Sequence, residues 1–222
     1  MPRSQSNRRT PSRPRRANPR WRRRKEDRPA ELIAASLAVF VERGFSATKL
    51  EDVAKKAGVS KGTVYLYYDS KEALFKAVVR ETMVPALHRG EATVREFTGS
   101  SKDLLRKLLF AWWDTIGESP LAGIPKLMMA EAANFPELAR FYYEEVIQRG
   151  HRLMGSVLER GIASGEFRSV ADVKLVVRAL ISPVLQLATW KHSFALCVRE
   201  PIDARAFLDT HIDLFLNGVV NA

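Results

Sequence analysis

The chain has 222 residues, 46% of them apolar and 27% charged, ordinary proportions for a globular protein with one sizeable core or a small domain beside a larger one. No run approaches the roughly 18 uninterrupted apolar residues of a membrane span, and the N-terminus has no apolar segment of the secretory kind. A single cysteine, Cys197, excludes an internal disulfide framework and is expected to pack as a small hydrophobe. The expectation is a cytoplasmic, nucleoid-associated protein with no membrane contact.

The net charge of +11 is unevenly placed. Residues 1–27 hold ten arginines and Lys25 against Glu26 and Asp27, a net +9 that leaves about +2 for the rest. With four prolines, and Met1 and Trp21 as its large apolar residues, this segment cannot bury enough surface to offset its ordering entropy. It reads as a disordered arm. Two uses fit it: tracking phosphates or a narrow minor groove, or simple solubilisation.

From Pro29 onward the apolar spacing is helical and nowhere of the strand type, so the fold class is all-α. Leu32, Ile33, Leu37, Phe40 and Val41 line one face of a first helix that Gly44 ends. Thr48 and Glu51 have capping-box spacing ahead of a short helix with Leu50, Val53, Ala54 and Ala57 inward, stopped at Gly58. Ser60 caps a third helix of about two turns through Tyr67. Ser70 caps a fourth, with Leu74, Phe75, Val78 and Val79 on its inner face. Beyond Pro85 the pattern predicts longer helices at 101–117, 121–134, 136–163, 169–193 and 203–219. Ser169 stands where it could cap one of them, and Pro183 predicts a kink within that helix.

A short helix, a glycine turn and a second short helix opening Ser-Lys-Gly-Thr make a helix-turn-helix arrangement. Small residues at the start of the second helix, Ser60, Gly62 and Thr63, let its backbone approach a phosphate, and its free N–H groups attract an anion. Lys61 adds a cation there, as Lys71 does at the next helix. Tyr65, Tyr67 and Tyr68 cannot all face one core, because helical neighbours point in different directions.

The stretch GFSATKLEDVAKKAGVSKGTVYLYYDSKEALFKAVV, residues 44–79, strongly resembles the DNA-binding domain of TetR-family transcriptional regulators. The resemblance is carried by Thr48, Val53, Ala54, Ala57, Gly58, Val59, Ser60, Gly62, Thr63, Val64, Tyr65, Tyr67, Ser70, Lys71, Glu72 and Leu74; Tyr68 stands where phenylalanine is usual. EAANFPELARFYYEEV and LERGIASGEFR look like segments of the C-terminal domains of such proteins. The resemblance implies a three-helix head, residues 28–75 with the motif at about 50–69, and a helical effector and dimerisation domain, residues 76–222.

It also implies a ligand-responsive repressor that binds a palindromic DNA operator as a homodimer. The alternatives are an activator, or a constitutive or architectural DNA-binding protein with no effector. A further alternative makes the body a protein-interaction module and the arm an RNA-binding one. The DNA contacts implied are Thr48, Ser60, Lys61, Gly62, Thr63, Tyr65, Tyr67 and Lys71, with Tyr65 open between DNA and the core and Tyr68 read as packed inward.

A hydrophobic or aromatic effector would meet Trp112, Trp113, Met128, Met129, Phe135, Tyr142, His151 and Trp190, bulky residues that core packing would equally explain. The dimer face expected on the last two helices includes Leu180, Val184, Leu187, Phe207, Ile212 and Phe215, unless these bury against their own domain. His88, His151, His192 and His211 lack metal-ligand spacing, and no nucleophile motif or phosphate loop is present, so neither an enzyme nor a metal or other cofactor is expected.

Overall fold

Gly44 decides how the N-terminal head is built. The computed structural model describes residues 19–198 and 201–219, and of residues 19–27 and Leu196 the backbone alone. Helix α1 (Pro19–Ala47) is broken at Gly44, whose φ of 80° and ψ of 169° suit a residue without a Cβ. The break turns Phe45 inward, where its ring meets Phe40 at 5.7 Å and Phe75 at 5.6 Å. Helices α2 (Leu50–Lys56), α3 (Lys61–Tyr65) and α4 (Lys71–Thr82) close around that aromatic centre with Leu50, Val53, Val64 and Leu74. The expected arm lies outside the described residues as far as residue 18, and α1 begins within it, at Pro19.

The body follows as α5 (Val84–Glu96), α6 (Ser101–Trp112), α7 (Gly123–Glu131), α8 (Pro136–Tyr142), α9 (Gln148–Ala163), α10 (Val173–Lys191) and α11 (Ala204–Val219). Wide π-type turns at Trp113–Gly117 and Tyr143–Ile147 extend α6 and join α8 to α9, so 101–117 and 136–163 are continuous as the spacing predicts. The spacing did not reveal α5, none of whose residues is fully buried. Among the described residues the fold is helical, with a lone bridge residue at Phe167.

The apolar core has two centres. One unites the head with α7 and α8 through Ile124, Leu127, Met128, Leu138, Phe141 and Tyr142; the other lies among α6, α9, α10 and α11. The first crosses the expected boundary at residue 75, and polar ties follow the same seam. The Ser46 N–H donates to Glu131 Oε1 at 2.8 Å, and Arg80 pairs with Glu145 at 3.2 Å.

Three local readings change. The Thr48 hydroxyl donates to the Gly44 carbonyl at 2.6 Å instead of capping α2; the cap position belongs to Lys49, whose N–H reaches Asp52 Oδ2 at 3.2 Å. Asp172, and not Ser169, caps α10, accepting from the Lys174 N–H at 2.7 Å; α10 then runs through Pro183 as one helix. Cys197 is exposed, because it follows the end of α10 in a turn rather than lying under a helix.

Candidate nucleic-acid interface

The α2–turn–α3 unit is held by short-range bonds that its own sequence supplies. Gly58 adopts φ 65°, the left-handed conformation that reverses the chain between α2 and α3. Ser60 Oγ accepts the Thr63 N–H at 3.2 Å and lies 2.9 Å from Thr63 Oγ1. The cap fixes the first turn of α3 and leaves its remaining N–H groups for an incoming anion. Val64 is fully buried and anchors the helix to the head core.

With Val64 inward, the rest of α3 must face out. Ser60, Lys61 and Gly62 are exposed, Thr63 is half-buried, and Tyr65 and Tyr67 are 46% and 37% exposed. Tyr65 therefore sits on the outer surface, and Tyr68 is half-buried against the head core. The Tyr68 hydroxyl is pushed above its ordinary pKa by that burial, then by Glu81 and Tyr67. These residues bring a cation, two hydroxyls, two phenols and a bare stretch of backbone onto one short helix and its exit. Leu66, between the two tyrosines and 83% exposed, is not among the sequence-selected residues.

Two expected contacts have other duties. Thr48 is 1% exposed, with its one hydroxyl proton given to Gly44. The Lys71 ammonium donates to the Phe45 and Ser46 carbonyls at 2.8 and 3.0 Å and lies 4.6 Å from the Phe45 ring centre. It stitches α4 to the turn that enters α2, leaving one donor for a phosphate. Lys61, in turn, is paired with Glu51 of α2; the partnership raises the pKa of Lys61 and lowers that of Glu51. The sequence hid that pair because its partners sit ten residues apart on different helices.

The effector set is dispersed. Met128 and Tyr142 are buried in the core shared with the head, and Phe135 packs 4.7 Å from Phe45. Met129 is 66% exposed, because it faces away from that core. His151 is half-buried on α9, its pKa lowered by burial and then by the Arg178 charge. Trp112 bridges the two core centres.

Trp113 and Trp190 do share a cleft of about 510 Å³, together with Leu187, Lys191, Val198 and Ile202. Glu118 holds its rim, accepting from the Trp113 indole N–H at 2.6 Å and pairing with Lys191 at 2.9 Å. The Trp190 indole N–H is buried with no partner among the described residues, and its ring stacks on Phe194 at 5.0 Å.

Four of the residues expected at the dimer surface are internal. Leu180 and Ile212 have no exposed surface, and Val184 and Leu187 are 2% and 3% exposed, because α10 and α11 pack these faces on α6 and α9. Phe207 and Phe215 are partly buried against the same core. The bare apolar residues of the two helices are Leu175, at 63% exposed, and Leu214, at 68%.

A helix-turn-helix head continuous with an all-helical body is the build of a DNA-binding transcriptional regulator. Residues 32–78 match the bacterial regulatory proteins of the tetR family, and residues 96–195 the tetracyclin repressor-like C-terminal domain. The HTH-type transcriptional repressor KstR2 of Mycobacterium tuberculosis is 31% identical over 193 residues, 86% of this chain and 92% of that one. The fatty acid metabolism regulator protein of Bacillus subtilis is 26% identical over 201 residues, 89% and 99% of the two chains. The crystal structure of the transcriptional regulator FadR from Bacillus subtilis, in complex with stearoyl-CoA, superposes with a TM-score of 0.71 at 22% identity, covering 85% of this chain and 98% of that one. The chain belongs to the TetR family of transcriptional regulators.

Proposed function

We propose that the protein is a repressor that binds a palindromic operator as a homodimer, with α3 in the major groove, and releases it when a hydrophobic small molecule occupies the body. The observation that carries the DNA half is the outer surface of α3 and its exit: Lys61, Gly62, Thr63, Tyr65 and Tyr67 on a helix whose one buried side chain is Val64. So short a helix meets few bases, and two copies about 34–36 Å apart, or a multiple of that, supply the rest of the discrimination. Support for the second copy comes from Leu175 on α10 and Leu214 on α11, large apolar side chains left 63% and 68% exposed. Such a surface on helices packed in a bundle suits a partner helix.

For the effector, the cleft of Trp113 and Trp190 has the size and makeup of a small-molecule site: apolar walls, an unmet indole N–H and a Lys191 ammonium at the rim. The stearoyl-CoA bound by a relative suggests a long-chain acyl thioester, its chain on the apolar walls and its phosphates near Lys191. Occupancy would shift the spacing of the two heads through the core shared by α4, α7 and α8. The regulator would work in the cytoplasm, on the nucleoid.

The test is selection of bound duplexes from a random pool, followed by titration of the recovered operator complex with stearoyl-CoA. A palindrome is expected, with sequence preference lost in Thr63→Ala and Tyr67→Ala, and release by stearoyl-CoA that Trp190→Ala abolishes without weakening operator binding. A non-palindromic consensus would overturn the dimer reading. Complexes indifferent to stearoyl-CoA would overturn the acyl reading alone.

A further inference from the structure

One well-exposed group on the recognition surface is neither a cation nor a hydroxyl. Leu66 is 83% exposed, more than either flanking tyrosine, while Val64, two residues earlier, has no exposed surface. Two residues span about 200° of a helix, so Leu66 stands opposite the buried anchor of α3. Its N–H donates to the Gly62 carbonyl at 3.1 Å, which puts Leu66 one turn beyond Gly62 on the same outer face. A Cβ at Gly62 would meet just the Ser60 hydroxyl, at 3.9 Å, so the described residues leave the outer side of α3 open at Gly62.

Single exposed leucines are ordinary on protein surfaces and need no explanation by themselves. The position is what matters here. An isobutyl group has no donor or acceptor, and the base edges of the major groove are donors and acceptors except for one apolar feature, the 5-methyl group of thymine. A leucine carried on the outer face of a helix in that groove can therefore discriminate among bases by contact with this methyl group, and at the sugar–phosphate it gains little.

We propose that Leu66 is a specificity-determining residue that reads the 5-methyl group of one thymine in each half-site of the operator. The inference rests on α3 entering the major groove, and it adds what the motif residues do not supply, an apolar readout between the two tyrosines. It predicts a T·A pair at one fixed position of each half-site, with the thymine on the strand nearest Leu66.

Deoxyuridine, which lacks only the methyl group, gives the test. Once the wild-type protein has selected its consensus, each thymine is replaced by deoxyuridine in turn and affinity is measured. Recovery of that consensus tests the entry of α3, and the replacement tests Leu66 separately. At one position the wild type should lose about fourfold in affinity for one half-site and about fifteenfold for both, as expected for one buried methyl group on each side.

Leu66→Ala should bind thymine and deoxyuridine there equally, and Leu66→Met, which keeps an apolar reach, should retain most of the difference. Both variants should melt with the wild type, given the exposure of Leu66. A wild type indifferent to deoxyuridine everywhere overturns the proposal. So does an unchanged deoxyuridine penalty in Leu66→Ala, which would assign the methyl group to another side chain, or a uniform loss by Leu66→Ala on every duplex with the penalty intact.

Discussion

The head and the body of this protein are made of the same element, but they are held together at different ranges of sequence. In the head, the caps that open its short helices are local: Ser60 to Thr63, Ser70 to Ala73 and Lys49 to Asp52, each three residues apart. In the body, the ties that place one helix on another span the chain. Lys191 pairs with Glu118, Arg205 with Asp114 and Arg106 with Asp209, and the Ser101 N–H donates to Glu166 at 2.8 Å. Local bonds let a short segment define its own outward chemistry. Distant ones leave the outward chemistry of each body helix dependent on which neighbours the fold brings.

Phe45 is where the two regimes meet, and its loss should break the contrast most severely. It is fully buried, with Phe40, Phe75 and Phe135 within 5.7 Å, and Phe135 belongs to the body. Phe45→Ala should cost about 3–5 kcal/mol, the usual range for an aromatic ring removed from a filled core. If the seam joins the regions as its packing indicates, chemical denaturation will follow one transition, displaced to lower denaturant. Two separated transitions, with the body unchanged, would show the head to be an independent unit.

The same contrast explains what could be read from the chain alone. The caps at Ser60 and Ser70 and the outward Tyr67 follow from spacings of one or two turns, and these are where residue-level expectation and structure agree; Tyr65, which spacing left open, is settled as outward only by the burial of Val64. Thr48 shows the limit: its spacing to Glu51 fits a cap, but the turn at Gly44 offers the hydroxyl a nearer carbonyl. In α10 and α11 the periodicity identified apolar faces correctly and could not say which would meet the chain's own core. Leu180 and Ile212 went inward while Leu175 and Leu214 stayed bare. The effector residues scattered for the same reason, since bulk and polarisability describe a core as well as a pocket.

A milder change sharpens the local side of the comparison. Ser60→Ala removes the hydroxyl that accepts the Thr63 N–H and should cost about 1 kcal/mol, the ordinary value of a lost N-cap. Because the bond lies within the first turn of α3, the loss should appear as faster amide exchange in residues 61–65, with the body unaffected. Ser60→Asp, which keeps an acceptor, should restore that protection while adding a charge unfavourable to phosphate. Protection lost equally across α9 and α10 would mean that the cap is coupled to the whole fold and is not a local device.

The smallest expected effect concerns a cross-helix ion pair on the recognition surface. Lys61 and Glu51 face each other on α3 and α2, both more than half exposed, so the pair adds little to stability. Its consequence is for binding: a carboxylate beside the first residue of α3 repels phosphate and occupies the ammonium that would meet it. Glu51→Gln should tighten operator binding by about two- to fivefold, chiefly through the association rate. The salt dependence should steepen by about one unit per head if Lys61 takes up a phosphate contact. Lys61 holds the Glu51 carboxyl below its ordinary value, so the group is fully ionised throughout neutral pH, and the gain should be constant from about pH 6 to 8. An unchanged affinity would mean that Lys61 keeps its partner on DNA and acts as a brace between α2 and α3, which would leave Thr63 and the tyrosines to carry the contact.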